Sequence, residues 1–151
     1  MLGSKVQASP GNEWELSHTE IKLGPIGRKL FGIDGDKLHL HQMHQDHVVN
    51  VPSSETTDLI SKDLKVHVLG SSAHTNVQGI YIKDRLFTTQ GHLEFDEQMV
   101  KNQIDMRIES GGIKDQKQAE EAKKTGQLEH DGEIVAGAVL RLFHGDDTDI
   151  P

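Results

Sequence analysis

The sequence predicts an α/β protein, strand-rich in its first part and helical in its last third. Three observations carry that reading. Short apolar runs with a period near two recur as far as Gln90. Helical spacing takes over after Phe95. No internal repeat or low-complexity tract breaks this order. Strands followed by helices read either as α+β or as the second half of an α/β sandwich.

Each element has its own signal. Residues 3–23 form two strand-like runs around the turn Ser9-Pro10-Gly11-Asn12, which holds the residues that favour chain reversal. The run from Trp14 to Leu23 alternates imperfectly and reads as an edge strand. Pro25 suits the first turn of a short helix that Gly32 closes after Phe31. Leu38-His39-Leu40-His41, Val48-Val49-Asn50-Val51 and Val66-His67-Val68-Leu69 read as strands. Residues 77–82 and 85–90 read as two strands around the polar turn Lys83-Asp84. Asp96 is a good N-cap for a helix carrying Met99, Val100, Ile104 and Ile108, stopped by Gly111-Gly112. Residues 115–125 have only Ala119 and Ala122 as apolar members and read as a solvated helix or a mobile segment. Asp131 caps a last helix with Ile134, Val135, Ala138, Val139 and Leu142 on its apolar stripe, and the acidic end is expected to fray.

Composition bounds the function. The 151 residues suit one domain, but the apolar share of 34% is lean. A net charge of -8 with no basic run argues against nucleic-acid or anionic-membrane partners. No apolar stretch reaches the ~20 residues that span a bilayer. The N-terminus lacks the apolar core of a signal peptide, so the expected location is the cytoplasm. There is no cysteine, which excludes a disulfide scaffold and a thiol nucleophile within the chain.

Three constellations can carry chemistry. In Thr89-Gln90-Gly91-His92-Leu93-Glu94-Phe95, His92 and Glu94 stand two apart at a strand end that faces a helix start. Extended backbone puts them on one side, where a carboxylate can fix the tautomer of an imidazole. A surface His and Glu beside an N-cap is the plainer alternative. His39, His41, His44 and His47 fall within nine residues, and His39 and His41 can share a strand face as metal ligands. No second cluster is forced by the sequence, so a polar strand face is the simpler reading, and no metal or other cofactor is expected. Ser71-Ser72-Ala73-His74-Thr75 pairs serine with histidine but lacks the G-x-S-x-G elbow, which favours a hydrogen-bonding loop.

Taken together, these segments resemble the class I glutamine amidotransferases. Gln90-Gly91-His92-Leu93-Glu94-Phe95 is similar to the family's Q-x-H-P-E motif, with Leu93 in place of proline. His44-Gln45-Asp46-His47-Val48, followed by Val51-Pro52, resembles its H-x-D-x-V segment, and Leu2-Gly3-Ser4-Lys5-Val6 its L-G-G-x-V stretch. Trp14-Glu15-Leu16, Ala73-His74-Thr75-Asn76-Val77-Gln78-Gly79 and His130-Asp131-Gly132 resemble the stand-alone, fungal-type members, which are similar to the amidotransferase part of GMP synthase. The likeness runs from about residue 2 to about residue 143.

The resemblance implies part of a flavodoxin-like sandwich. Residues 1–100 would be the C-terminal half of the amidotransferase domain, 101–145 a helical extension and 146–151 a disordered tail. It implies glutamine hydrolysis through a Cys-His-Glu triad, with His92 as base, Glu94 as its orienter and the backbone around His44, Gln45 and Asp46 against the substrate. The family's cysteine lies in G-x-C-x-G-H-Q, and these residues carry no such segment. The expectation is therefore a chain truncated before its nucleophile and inactive alone. Its parallel strands would leave an edge for self-association or for a missing N-terminal half. The alternative is a non-catalytic interaction protein that pairs through that edge.

Overall fold

A computed structural model describes residues 3–147 and 149–151, so Leu2 of the L-G-G-x-V-like stretch lies outside the described residues. The strands are β1 (Val6–Ala8), β2 (Glu15–Leu23), β3 (Lys37–His44), β4 (Asp46–Val48), β5 (His67–Ser71), β6 (Gly79–Ile82) and β7 (Leu86–Thr89). The helices are α1 (Pro25–Phe31), α2 (Glu97–Glu109), α3 (Gln116–Thr125) and α4 (Gly132–His144). The main sheet runs β3-β2-β5-β6-β7, and β1 pairs with β4 beside it.

Every described strand pair is antiparallel, where parallel strands were expected. For β6 and β7 the connection explains the difference. Only three residues join β6 to β7, with Asp84 in the left-handed region at φ 56. A parallel pair needs a crossover of a dozen residues or more. The outer side of β7 still has no strand partner among the described residues.

Helices cover both faces. Leu38 and Leu40 point one way from β3 and pack with Leu30 and Phe31 of α1 and Val135 and Ala138 of α4. Met43, an odd number of residues away, points the other way and packs with Val100 and Ile104 of α2 and Ala119 and Ala122 of α3. This is a sandwich with two cores. α1 lies close on β5, since a Cβ on Gly27 would come 2.1 Å from the carbonyl oxygen of Leu69.

Four local expectations change. The strand expected at residues 48–51 sits earlier, at Asp46–Val48, because its partner β1 is only three residues long. The run from Trp14 to Leu23, expected as an edge strand, forms β2 and lies inside the sheet, paired with β3 on one side and β5 on the other. The segment 115–125 takes the helical alternative, as α3. Its two alanines are buried and let α3 approach α2 closely, and Gln118 Nε2 donates to the Trp14 carbonyl at 2.9 Å. The C-terminal end is tied down: Asp147 is buried and accepts from the Tyr81 hydroxyl at 3.0 Å, and Ile150 enters the first core.

Candidate active site at the end of β7

β7 delivers the chain to Gln90 and then leaves the sheet. Gln90 N–H donates to the Gln78 carbonyl at 2.8 Å, and His92 N–H donates to the His41 carbonyl at 2.8 Å. Gly91 lies between these two bonds, where a Cβ would come 2.8 Å from Gln42 Nε2 and from Leu40 Cβ. Only glycine brings the backbone this close to β3. Asp96 then caps α2 through the Met99 N–H at 2.7 Å. His92 and Glu94 are therefore held between a strand end and a helix start.

The predicted pair is in contact. His92 Nδ1 lies 2.9 Å from Glu94 Oε1. The His92 ring stacks on Phe95, with centroids 3.8 Å apart and planes at 11°. Partial burial pushes the Glu94 carboxyl up, but the bond to His92 and backbone N–H groups outweigh it and hold it below the usual carboxylate range. The ionised carboxylate can only accept, so the shared proton sits on Nδ1, and in the neutral ring the lone pair is on Nε2. Leu93, where the family has proline, leaves this contact intact and packs against the first core.

His44, Gln45 and Asp46 sit at the β3–β4 corner, beside the same segment. Gln90 Nε2 donates to the Asp46 carbonyl at 2.8 Å and lies 3.2 Å from His44 Nδ1. Gln45 is occupied by the protein itself. Its carbonyl accepts from Ser9 N–H at 2.8 Å, and its side chain donates to the Asn12 carbonyl at 2.6 Å. Gln45 also borders a 640 Å³ cleft with Asn12, Trp14, Gly112 and Asp115.

The other two constellations separate. His39 and His41 share one face of β3, while His44 points to the opposite face. The His39 ring stacks on His18 at 4.8 Å and the His41 ring lies 4.8 Å from His130. Among the described residues no group of three His, Cys, Asp or Glu side chains is placed to hold a metal ion. Ser72 serves its own loop, where its hydroxyl accepts from Thr75 N–H at 2.9 Å and His74 N–H at 3.2 Å.

Sequence reasoning missed Glu15 as more than part of a motif. It is 5% exposed and accepts from Thr75 Oγ1 at 2.8 Å and Gln78 Nε2 at 3.0 Å. Burial pushes its carboxyl up, yet its contacts with His44, Ser72 and Thr75 bring it below the usual range. The one available signal was an acidic residue beside Trp14 at the start of a strand.

No protein-family model matches the chain. It is 28% identical over 130 residues to a protein of Schizosaccharomyces pombe provisionally named glutamine amidotransferase-like, covering 86% of this chain and 47% of that one. It is 29% identical over 142 residues to a Saccharomyces cerevisiae protein provisionally named a glutamine amidotransferase, covering 94% of this chain and 50% of that one. It is also 29% identical over 149 residues to gamma-glutamyl peptidase 3 of Arabidopsis thaliana, covering 83% of this chain and 55% of that one. Among solved structures, a glutamine amidotransferase of Thermotoga maritima superposes with a TM-score of 0.60 at 18% identity, covering 95% of this chain and 54% of that one.

The fold is that of the class I glutamine amidotransferases. The chain is similar to fungal proteins named as glutamine amidotransferases or glutamine amidotransferase-like, and it spans about half the length of the curated relatives it matches. No helix among the described residues is long and apolar enough to cross a membrane.

Proposed function

We propose that this chain supplies the base and its orienter to a Cys-His-Glu triad that hydrolyses the side-chain amide of glutamine. The 2.9 Å contact between His92 Nδ1 and Glu94 carries the reading. It leaves Nε2 of His92 to take the proton of an attacking thiol and return it to departing ammonia. Glu94 fixes the tautomer and stabilises the imidazolium formed on the way. The backbone at His44, Gln45 and Asp46 faces the substrate. These residues hold the C-terminal half of the amidotransferase domain and act in the cytoplasm.

The thiol comes from outside these 151 residues, which contain no cysteine. In comparable triads loss of the nucleophile costs roughly a million-fold in kcat. Alone, therefore, the chain makes no thioester. The outer edge of β7, unpaired among the described residues and running directly into the His92 segment, favours joining to a nucleophile-bearing part at that edge.

The test joins the nucleophile-bearing half of the S. pombe relative to this chain and measures ammonia release from glutamine. The joined protein should release ammonia, and His92→Ala should abolish it. Release that is unchanged by His92→Ala would refute the assignment. The same measurement with a γ-glutamyl peptide defines the amide accepted. A chain that instead pairs with itself through β7 would run as a dimer and gain no activity on joining.

A further inference from the structure

We propose that Glu15 is a positioning residue for this site, acting through His44 and Gln78 to hold the Gln90–Gly91 segment that presents His92. The proposal rests on the reading of His92 as the base. Glu15 opens β2 and is buried at 5% exposure, and a buried carboxylate persists only where partners compensate it.

Two paths lead from Glu15 to the residues before His92. In the first, His44 Nε2 lies 3.1 Å from Glu15 Oε2, in polar contact though off the line of a hydrogen bond. The far side of the same ring, Nδ1, lies 3.2 Å from Gln90 Nε2 and 3.0 Å from the Asp46 carbonyl, which also accepts from Gln90. In the second, Gln78 Nε2 donates to both Glu15 oxygens, at 3.0 and 3.2 Å. The Gln78 carbonyl accepts Gln90 N–H at 2.8 Å, and its Oε1 accepts from Gln42 Nε2 at 3.2 Å. Gln42 is the fully buried side chain on which Gly91 rests.

The carboxylate thus holds two side chains that bracket the approach to His92. Thr75 and His74, the latter with Nδ1 at 3.5 Å, close the other side of Glu15 and keep it from turning away. No contact joins Glu15 to His92 or Glu94 among the described residues, so its effect passes through geometry. A base displaced by a fraction of an ångström loses rate without losing its chemistry.

The experiment uses the 151-residue chain and long-range ¹H–¹⁵N NMR of its imidazoles. Glu15→Gln keeps the shape and removes the charge. The His92 ring nitrogens should shift, and the amides of residues 90–94 should exchange at least about tenfold faster. Amides of Val100 and Ile104 in the second core should keep their protection. Glu15→Asp should restore part of the wild-type His92 signature. If Glu15→Gln fails to fold, His44→Gln cuts the first path and should give the same local pattern. Unchanged signals at residues 90–94, or a loss of protection spread evenly over the chain, would overturn the proposal.

In the joined protein, Glu15→Gln should lower kcat roughly 10–100-fold, the range for lost supporting contacts, with KM held within about twofold. An unchanged kcat there would also overturn it. An inactive wild-type joined protein would refute the role of His92 instead, and the NMR arm would still decide whether Glu15 holds the segment.

Discussion

Acid should destabilise this protein through one buried histidine. His41 is 1% exposed and lies between the rings of His18, at 6.0 Å, and His130, at 4.8 Å. Neither of its ring nitrogens has a hydrogen-bond partner among the described residues. Burial first, and then the charges of His130 and His18, push its pKa from 6.5 down to about 4. The carboxylates of Glu20 and Asp131 lie against His39, with Asp131 Oδ2 3.6 Å from His39 Nδ1. The folded pKa is the depressed one, and the unfolded chain binds the proton at its ordinary pKa. Stability is therefore fully present above pH 6.5 and is lost as pH falls towards 4. The loss is about 2 kcal/mol at pH 5 and approaches roughly 3 kcal/mol below pH 4. His18, also lowered first by burial, acts in the same direction. Glu15 and Glu94 are lowered carboxylates whose stabilisation is lost only as pH falls below their ordinary value of 4.5, so pH 5 isolates the histidines. Urea denaturation at pH 7 and pH 5 makes the measurement. Wild type should lose at least about 2 kcal/mol between them, and His41→Leu should lose less than half as much. Equal losses in the two proteins would refute the reasoning.

Two further substitutions probe the scaffold. Ile104 is fully buried in the second core, so Ile104→Ala should cost about 2–5 kcal/mol in urea denaturation through the cavity it leaves. Asp96→Ala removes the cap that accepts from Met99 N–H at the start of α2 and should cost about 1 kcal/mol, with faster amide exchange in that first turn.

Local chemistry made much of this fold legible. Pro25 and Gly32 bracket α1, and Gly32 takes φ 68 as a helix-closing glycine does. The turn at Lys83-Asp84 and the cap at Asp96 are written within a few residues of where they act. The contact of His92 with Glu94 was readable for the same reason, since i and i+2 meet without help from the rest of the chain. Contacts between distant segments were not readable. The His41 environment is built with His18 and His130, and the Glu15 network draws on residues 42–78, which no local pattern joins. The charged surroundings of Ala119 and Ala122 hid a buried face, because two small residues at i and i+3 carry little hydrophobic signal. The acidic end looked solvated until Tyr81 gave Asp147 a partner.

The central claim is that these residues hold a base and its orienter but no nucleophile. The most direct measurement is ammonia release from glutamine, and from a γ-glutamyl peptide, by the purified 151-residue chain. Release should not exceed that of buffer. Turnover by the chain alone that His92→Ala abolishes would contradict the claim, because some other side chain among these 151 would then be attacking the amide.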